Sequence, residues 1–151
     1  LPSPNGATLS LDCHAPVVLA GCLRNASAVA AYAASQPGPI TVIACGEQWP
    51  DGTLRPAVED LLGAGALIRA LAGSKSPEAR AAEAAFDGLC SDLAGALAGC
   101  ASGIELAQRG FAADVLLAAA HDSSTCVPRL VGRAYSAVGG HPPARGIDHL
   151  T

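Results

Sequence analysis

The sequence contains no methionine and very few aromatic side chains. Two Phe, two Tyr and one Trp occur among its 151 residues, so a core must be built mainly from Leu, Val, Ile and Ala. A single domain of this length can bury such a core. Since a primary translation product normally begins with Met, we expect Leu1 to be the start of a processed chain or a fragment. Part of a functional site would then lie outside the chain.

Positive charge and long apolar runs are scarce as well. Lys75 is the only lysine and the formal net charge is −4, which argues against nucleic acid as a partner. The apolar stretches at 93–101 and 115–120 are much shorter than the roughly 18 residues of a membrane-spanning helix. Residues 1–11 lack the basic and apolar regions of a signal peptide. We therefore expect a soluble, cytoplasmic domain without a membrane partner.

Several familiar catalytic and metal-binding motifs are absent. The six cysteines form no C-x-x-C pair and no cluster with histidine, so we interpret them as free thiols in a reducing cytosol. There is no phosphate-binding G-x-x-x-x-G-K-[ST] loop and no G-x-G-x-x-G after a predicted strand. The C-x5-R spacing of cysteine phosphatases, a D-x-D after a strand and the G-x-S-x-G motif of serine hydrolases are also missing. These absences exclude the corresponding enzyme classes.

Apolar runs and helix signals alternate along the chain. A turn is predicted at residues 3–6. Strands are predicted at three apolar runs, 16–20, 40–45 and 127–138. Helices are predicted at segments with caps or apolar stripes, namely 26–35, 55–72, 77–98 with interruptions, and 102–110, while 112–121 fits either type. Strands that alternate with helices indicate an α/β fold. We assign 1–138 to one domain and 139–151 to a C-terminal tail.

Carboxylates follow the clearest predicted strand and open the next helix. Glu47 lies directly after residues 40–45, and Glu59 and Asp60 lie in the first turns of the helix predicted to begin near Pro56. Ligands of α/β sheets bind at this strand edge, and carboxylates suit Mg²⁺, which completes its shell with water and substrate phosphate. Acidic residues at a helix start also complement the helix dipole. Adjacent helical residues point about 100° apart, so only one of Glu59 and Asp60 can face the strand ends.

Other polar residues have both a functional and a structural interpretation. Arg24 and Asn25 follow the predicted strand 16–20, where an arginine could bind phosphate or sulfonate in a bidentate fork, or form a surface ion pair. Ser102-Gly103 could bind an anion at a helix start, but with Glu105 it also matches a capping box. The run from His121 to Ser123 suggests acid–base chemistry, with a helix-end cap as the favoured alternative.

Motifs through nearly the whole chain resemble those of the 2-phosphosulfolactate phosphatase (ComB-like) family. The N-terminal matches are Ser3 to Thr8, Ala20 to Ala26 and Val29-Ala30. The central matches are Gly46-Glu47 and Glu59 to Ala66. The C-terminal matches are Ser102-Gly103, Glu105-Leu106, Gly110-Phe111, Asp114-Val115, Asp122 and Val127-Pro128.

The resemblance implies a Mg²⁺-dependent hydrolase with a three-layer α/β/α fold and a mostly parallel or mixed sheet. Members convert 2-phosphosulfolactate to sulfolactate and phosphate in the coenzyme M pathway. They also carry an N-terminal Asp-containing motif, D-V-x-R-A-[ST]-[ST], that is missing here, and this chain has Leu-Pro-Ser-Pro where members have a Thr-rich approach to Asn-Gly. The chain would correspond to the C-terminal two-thirds of the domain, and the missing segment would supply part of the active site.

The hypothesis assigns roles to particular residues. Asp60 and Glu59 would hold Mg²⁺ and, with Glu47, carry out catalysis. The small phosphorylated substrate would be bound by residues that follow strands or open helices, namely Arg24, Asn25, Asn5, Gly6, Ser102 and Gly103. One rival is a non-catalytic or truncated member that binds a small phosphorylated or sulfonated acid. The other is a structural or oligomerisation domain whose acidic residues only cap helices. A homo-oligomer is compatible with each interpretation.

Overall fold

The structure, a computed structural model, describes residues 4–138 of the chain. About half of these residues are in helices. The helices in chain order are α1 (Pro4–Asp12), α2 (Ala26–Ala34), α3 (Val58–Ala70), α4 (Pro77–Leu89), α5 (Leu93–Gly99), α6 (Ala101–Gln108) and α7 (Ala112–Ala118). The strands are β1 (Glu47–Gln48), β2 (Leu54–Arg55), β3 (Pro128–Val131) and β4 (Ala134–Ala137). The predicted tail, 139–151, lies outside the described residues.

The strands form two small antiparallel sheets. β1 pairs with β2 so that Glu47 lies opposite Arg55, and β3 pairs with β4. The predicted strand 16–20 pairs with β3 through a bridge at Leu19 and backbone hydrogen bonds of 2.9 and 3.0 Å. The mixed α/β class is therefore confirmed. Residues 4–138 contain no parallel strand pair and do not by themselves form a three-layer sandwich.

The prediction of a strand at residues 40–45 is wrong for this structure. These residues precede β1 but have no strand assignment, and within the described chain their backbone groups form no hydrogen bond to another segment. A β-branched run forms a strand only when a neighbour pairs with it. The predicted strand at 127–138 is instead a hairpin, whose turn includes Gly132 with φ of 62°.

The core lies where α3 packs against α4 and α2. Its buried residues are mostly aliphatic, as the scarcity of aromatics predicts, namely Leu23, Ala26, Leu62, Ala66, Phe86, Leu93, Leu97 and Val115. Leu62 is fully buried at the centre of this cluster. Gly65 allows α3 and α4 to approach closely, since a Cβ at this position would overlap the carbonyl oxygen of Ala82.

Side-chain caps explain where three of the helices, α4, α5 and α6, begin. Ser76 accepts a hydrogen bond of 3.2 Å from the Ala79 N–H, with Pro77 in the first turn, so α4 begins at residue 77 as predicted. The predicted interruption before 98 is confirmed, because Asp92 caps α5. The predicted capping box at Ser102 is wrong, since α6 begins one residue earlier and Cys100 is its cap.

Two further boundaries differ from the prediction. The predicted turn at 3–6 is replaced from Pro4 onward by α1, and Pro is readily accommodated in the first turn of a helix. α3 begins at Val58 because Leu54–Arg55 belong to β2. The ambiguous segment 112–121 is mainly helical.

The described helices are short or interrupted by polar residues. No single helix there has both the length and the apolar composition to cross a bilayer. Pro77–Gly99 and Ala101–Gln108 meet both criteria only as a pair bent by 49°.

Candidate functional site

The loop before β1 and the start of α3 meet at Asp60. Gly46 is buried with φ of 67°, a left-handed conformation that favours glycine. A side chain there would also crowd Leu54, at 2.8 Å from its Cδ1. In this conformation the Gly46 N–H donates a hydrogen bond to the Asp60 carboxylate. The structure therefore brings the predicted Gly46-Glu47 and Glu59-Asp60 pairs together.

Asp60 is the carboxylate whose environment most favours protonation. It is half-buried, and burial is the main cause that raises its pKa. The negative charge of Glu59 raises the pKa further, while the hydrogen bond from Gly46 opposes the rise. The Cys45 thiol is close enough that its pKa is raised as well, first by burial and then by the charge of Asp60. A cation or a proton at Asp60 would relieve this concentration of negative charge.

Arg55 is the positive centre of the same region. Its side chain is 14% exposed, and its guanidinium donates two hydrogen bonds to Glu105, at 2.6 and 3.2 Å. The guanidinium also lies 3.4 Å from the Ser102 hydroxyl and 5.4 Å from the centre of the Trp49 ring. The pKa of Arg55 is raised chiefly by Glu105, with smaller effects from Glu47 and Glu59.

Arg55 was not among the site residues predicted from the sequence. A signal for it exists, because Pro50-Asp51-Gly52 is typical of a hairpin turn and places Arg55 opposite Glu47. Its partner Glu105 lies 50 residues further along the chain. No local pattern indicates that pairing.

Glu59 contacts the start of α6. The Cys100 thiol donates to Glu59 Oε2 at 3.6 Å, and the same sulfur accepts the Gly103 N–H at 3.4 Å. The backbone N–H of Gly103 is therefore already hydrogen-bonded within the protein. A Cβ at Gly103 would overlap the Leu97 carbonyl, so this glycine permits close packing of α5 and α6. Of the predicted anion-binding pair, the Ser102 side chain is the part near the charged groups.

Arg24 and Asn25 lie in a different polar cluster. Asn25 is 6% exposed, and its amide donates to the carbonyls of Ala20 and Cys126 at 3.4 and 3.0 Å. Its Oδ1 accepts the Cys22 N–H at 2.8 Å. These bonds join the segment at 20–25 to the loop that contains Cys126, and they occupy the amide. Arg24 donates through Nε to the Ser123 hydroxyl at 3.1 Å, and it has no hydrogen bond or ion pair with Glu47, Glu59 or Asp60.

The other predicted substrate-binding pair, Asn5-Gly6, is in the first turn of α1. The carbonyl of Gly6 accepts a hydrogen bond of 2.5 Å from the Ser10 hydroxyl. Ser10 also lies 2.6 Å from the Tyr135 hydroxyl, which connects α1 to β4. The Asn5 backbone is helical, and its side chain lies outside what the structure describes.

A helix-end cap was the favoured interpretation of the run from His121 to Ser123, and Asp122 does cap a helix, but this helix is the distant α2. The Asp122 carboxylate accepts hydrogen bonds from the Ser27 N–H at 2.8 Å and the Ser27 hydroxyl at 2.6 Å, which caps α2. Burial raises the pKa of Asp122, but the bonds from Ser27 and the adjacent His121 outweigh it, so the net pKa is lowered. His121 packs against Phe86 with ring centres 5.2 Å apart.

The acidic side chains of this region are the groups that could hold a metal ion. Across residues 4–138, no three His, Cys, Asp or Glu side chains converge to hold a metal by themselves. The available groups at Glu47, Glu59 and Asp60 are carboxylates, the ligand type that Mg²⁺ prefers. Mg²⁺ commonly uses only one or two carboxylates and takes its other ligands from water and phosphate. The chemistry of these side chains therefore fits Mg²⁺ in combination with an anionic substrate.

Comparisons with known proteins identify related sequences over most of the chain. The family model described as 2-phosphosulpholactate phosphatase matches residues 1–133. A curated protein of Gloeobacter violaceus, named "Probable 2-phosphosulfolactate phosphatase", is 38% identical over 122 residues. That alignment covers 81% of this chain and 50% of the relative. The chain therefore spans about half the length of the curated relative that it matches.

Proposed function

The chain belongs to the 2-phosphosulpholactate phosphatase family, and from this premise we propose that it is part of a Mg²⁺-dependent phosphate-monoester hydrolase. The proposed reaction converts 2-phosphosulfolactate to sulfolactate and phosphate, by analogy with the name of the curated relative. The observation that supports it most is the meeting of Gly46-Glu47 with Asp60. This contact joins the loop that leads into Glu47 to the first turn of the helix that carries Asp60, and so supports a role for both residues in one site.

Different residues of this chain would have different roles in the proposed reaction. Asp60, with Glu59, would hold Mg²⁺, which when bound supplies positive charge for the phosphoryl oxygens and lowers the pKa of water. Glu47 would accept the proton of the attacking water. Arg55, fixed by Glu105 and Trp49, holds β2 against α6 and keeps positive charge beside the carboxylates. Ser102 would present its hydroxyl to the substrate next to this guanidinium.

We also propose a larger architecture and a location for this activity. In the complete family domain, residues 4–138 would contribute to a three-layer α/β/α sandwich whose sheet includes strands from outside this chain. A cytoplasmic location is supported by the cysteines, since all six are free thiols.

A second candidate function is binding without catalysis. The full bidentate pairing of Arg55 with Glu105 favours it, because a neutralised arginine would stabilise less of the negative charge that develops during phosphoryl transfer. In that case the protein would bind a small phosphorylated or sulfonated acid and release no phosphate.

Phosphate release from 2-phosphosulfolactate separates these functions. We expect the intact protein to release phosphate when Mg²⁺ is added, and chelation with EDTA to stop it. Asp60→Asn should lower Mg²⁺-dependent turnover on the order of a hundredfold. The matched control is Asp114→Asn, since Asp114 is an exposed carboxylate in the first turn of α7. Substrate binding without turnover would favour the second candidate, and full turnover in Asp60→Asn would refute the assigned role.

A further inference from the structure

A cavity lies between α1 and the hairpin of β3 and β4. Its volume is about 310 Å³, which equals the space that roughly ten water molecules occupy in the liquid. One face of α1 and the end of the hairpin form its walls, namely Ala7, Ser10, Leu11, Leu130, Arg133, Ala134 and Tyr135. Most of these side chains are apolar, and none is acidic. A mainly apolar cavity of this volume is large enough for a small ligand.

Arg133 supplies the positive charge of this cavity. It forms the two-residue turn between β3 and β4 together with Gly132, whose φ of 62° suits the first position of such a turn. Among residues 4–138, the Arg133 side chain has no hydrogen bond, ion pair or ring contact, whereas Arg55 is paired with Glu105. Asp12, at the end of α1, is exposed and forms no ion pair with it. The guanidinium donors of Arg133 are therefore available to an anion.

Two hydroxyl groups define the other polar part of the cavity. The Ser10 hydroxyl donates to the Gly6 carbonyl at 2.5 Å, and the Ser10 oxygen lies 2.6 Å from the Tyr135 hydroxyl. Because serine has a single hydroxyl proton, Tyr135 must be the donor of the second bond. The Tyr135 oxygen keeps its lone pairs and can accept a hydrogen bond. The cavity thus combines one cationic donor group with one neutral acceptor.

We propose that this cavity binds a small hydroxycarboxylic acid with an apolar body. The carboxylate would accept hydrogen bonds from the Arg133 guanidinium, whose planar fork suits a carboxylate. The ligand hydroxyl would donate to the Tyr135 oxygen, and its apolar body would contact Leu11 and Leu130. A ligand with all three features uses each of the chemical groups that the walls present.

The cavity is separate from both polar regions of the candidate functional site. The Asn25 amide bonds the Cys126 carbonyl before β3 begins, whereas Arg133 follows the end of β3. The four residues of β3 span about 10 Å. None of the cavity residues contacts the acidic side chains of the candidate site through a hydrogen bond or an ion pair. The proposal therefore does not depend on the proposed function.

A titration with phenyllactate, a hydroxy acid with an apolar ring, tests the proposal. EDTA is present throughout, because a bound cation could otherwise hold a carboxylate at Asp60. In NMR spectra of the full chain, we expect saturable shifts of the amides of Ala7, Gly132 and Ala134, with a dissociation constant on the order of 1 mM. Shifts confined to the loop at Gly46 would overturn the location, and the lack of any saturable shift would overturn the proposal.

Two related compounds test the chemistry of recognition. Phenylpropionate lacks the hydroxyl and should bind about fivefold more weakly than phenyllactate, since one neutral hydrogen bond is lost. Phenylethanol lacks the carboxylate and should bind more weakly than either acid. Tyr135→Phe should remove the difference between the two acids. If this variant does not fold, the comparison in wild type decides, and equal affinities there would refute the contact with Tyr135.

A pair of arginine variants tests the role of charge. Arg133→Gln should weaken phenyllactate binding about tenfold, because a charge-assisted hydrogen bond is lost. The matched control is Arg80→Gln, which removes the same charge from an exposed position on α4, outside the cavity. This control should bind phenyllactate as wild type does. Equal weakening in both variants would show only a general attraction of the acid to positive charge and would refute the site.

Discussion

The Arg55 guanidinium forms two hydrogen bonds to the Glu105 carboxylate, at 2.6 and 3.2 Å, and so joins β2 to α6. Arg55 is mostly buried whereas Glu105 is half exposed. Because lysine has one ammonium group and cannot form this bidentate contact, Arg55→Lys should lower the midpoint of thermal unfolding. Glu105→Gln should lower it as well, and the double variant should lose less than the sum of the two. This non-additivity is measured by a double-mutant cycle.

The control for that cycle is the exposed pair Arg69–Asp87. Both of its side chains are about half exposed, and exposed pairs of this kind contribute little. Arg69→Lys and Asp87→Asn should therefore show almost no coupling. Equal coupling in both pairs would contradict a special role for Arg55.

The contribution of Glu105 to the stability of the fold should also depend on pH. The hydrogen bond from Arg55 is the main reason why the pKa of Glu105 lies below its ordinary value of 4.5. The folded state therefore binds this proton more weakly than the unfolded state, and the stabilisation is complete above pH 4.5. The difference in the free energy of unfolding between wild type and Glu105→Gln should decrease as the pH falls below 4.5 and through the lower pKa that Glu105 has in the folded state. A pH-independent difference would show that the effect is not ionic.

Asp60→Asn should stabilise the protein at pH 7, whereas Glu105→Gln should destabilise it. Burial raises the pKa of Asp60 above its ordinary value of 3.8, with a further rise from the charge of Glu59. The ionised carboxylate of Asp60 therefore destabilises the folded state. This destabilisation is absent below pH 3.8 and increases as the pH rises from 3.8 to the higher pKa of the folded state. Asparagine keeps an oxygen for the Gly46 N–H without the charge. We expect Asp60→Asn to raise the melting temperature at pH 7 and to make no difference at pH 3.

A magnesium titration adds to this prediction. A cation bound only to the folded state raises the melting temperature of wild type by linkage. We expect Asp60→Asn to remove this rise, while the exposed control Asp114→Asn keeps it. A gain in stability together with an unchanged response to magnesium would place the cation elsewhere.

The sequence predicted the features that depend on local chemistry. The start of α4 follows from the cap at Ser76 and from Pro77, and both residues act within one turn. The acidic residues in the first turn of α3, Glu59 and Asp60, were predicted in the same way from the helix start near Pro56. Such features need no information about distant segments.

Features that depend on distant partners were not predictable. Residues 40–45 have strand-forming side chains, but the partner that would make them a strand is absent from residues 4–138. Ser102 and Glu105 have the spacing of a capping box, but Cys100 caps α6 and Arg55 binds Glu105 instead. For Glu105 a contact with a residue 50 positions away in the sequence decided the outcome, and for 40–45 it was the lack of a strand partner within residues 4–138.

Asn25→Ala should destabilise the fold. The amide is buried and bonds the Cys22 N–H and two carbonyls from separate loops. Alanine would leave these groups without partners, at a cost of about 3 kcal/mol. The neighbouring control, Arg24→Ala, should cost within about 0.5 kcal/mol, because its contact with Ser123 is exposed. Urea unfolding measures both. Weaker substrate binding by Asn25→Ala at unchanged stability would support its predicted role in binding instead.

Two glycines on the packed pair of helices α3 and α4 should respond oppositely to the same substitution. Both lie in helices and neither has a positive φ, so alanine is compatible with the backbone at each. At Gly65 the added methyl would overlap the Ala82 carbonyl and lie 2.7 Å from Phe86 Cβ. Separating the helices to admit it should cost about 2–3 kcal/mol. At Gly88 an added Cβ would have no atom of another part of the structure within 4 Å. Alanine lowers the backbone entropy of the unfolded chain, and this should stabilise the protein by about 0.5 kcal/mol. Urea unfolding of the two variants gives these free energies, and a similar change at both positions would show that α3 and α4 are not in the close contact described.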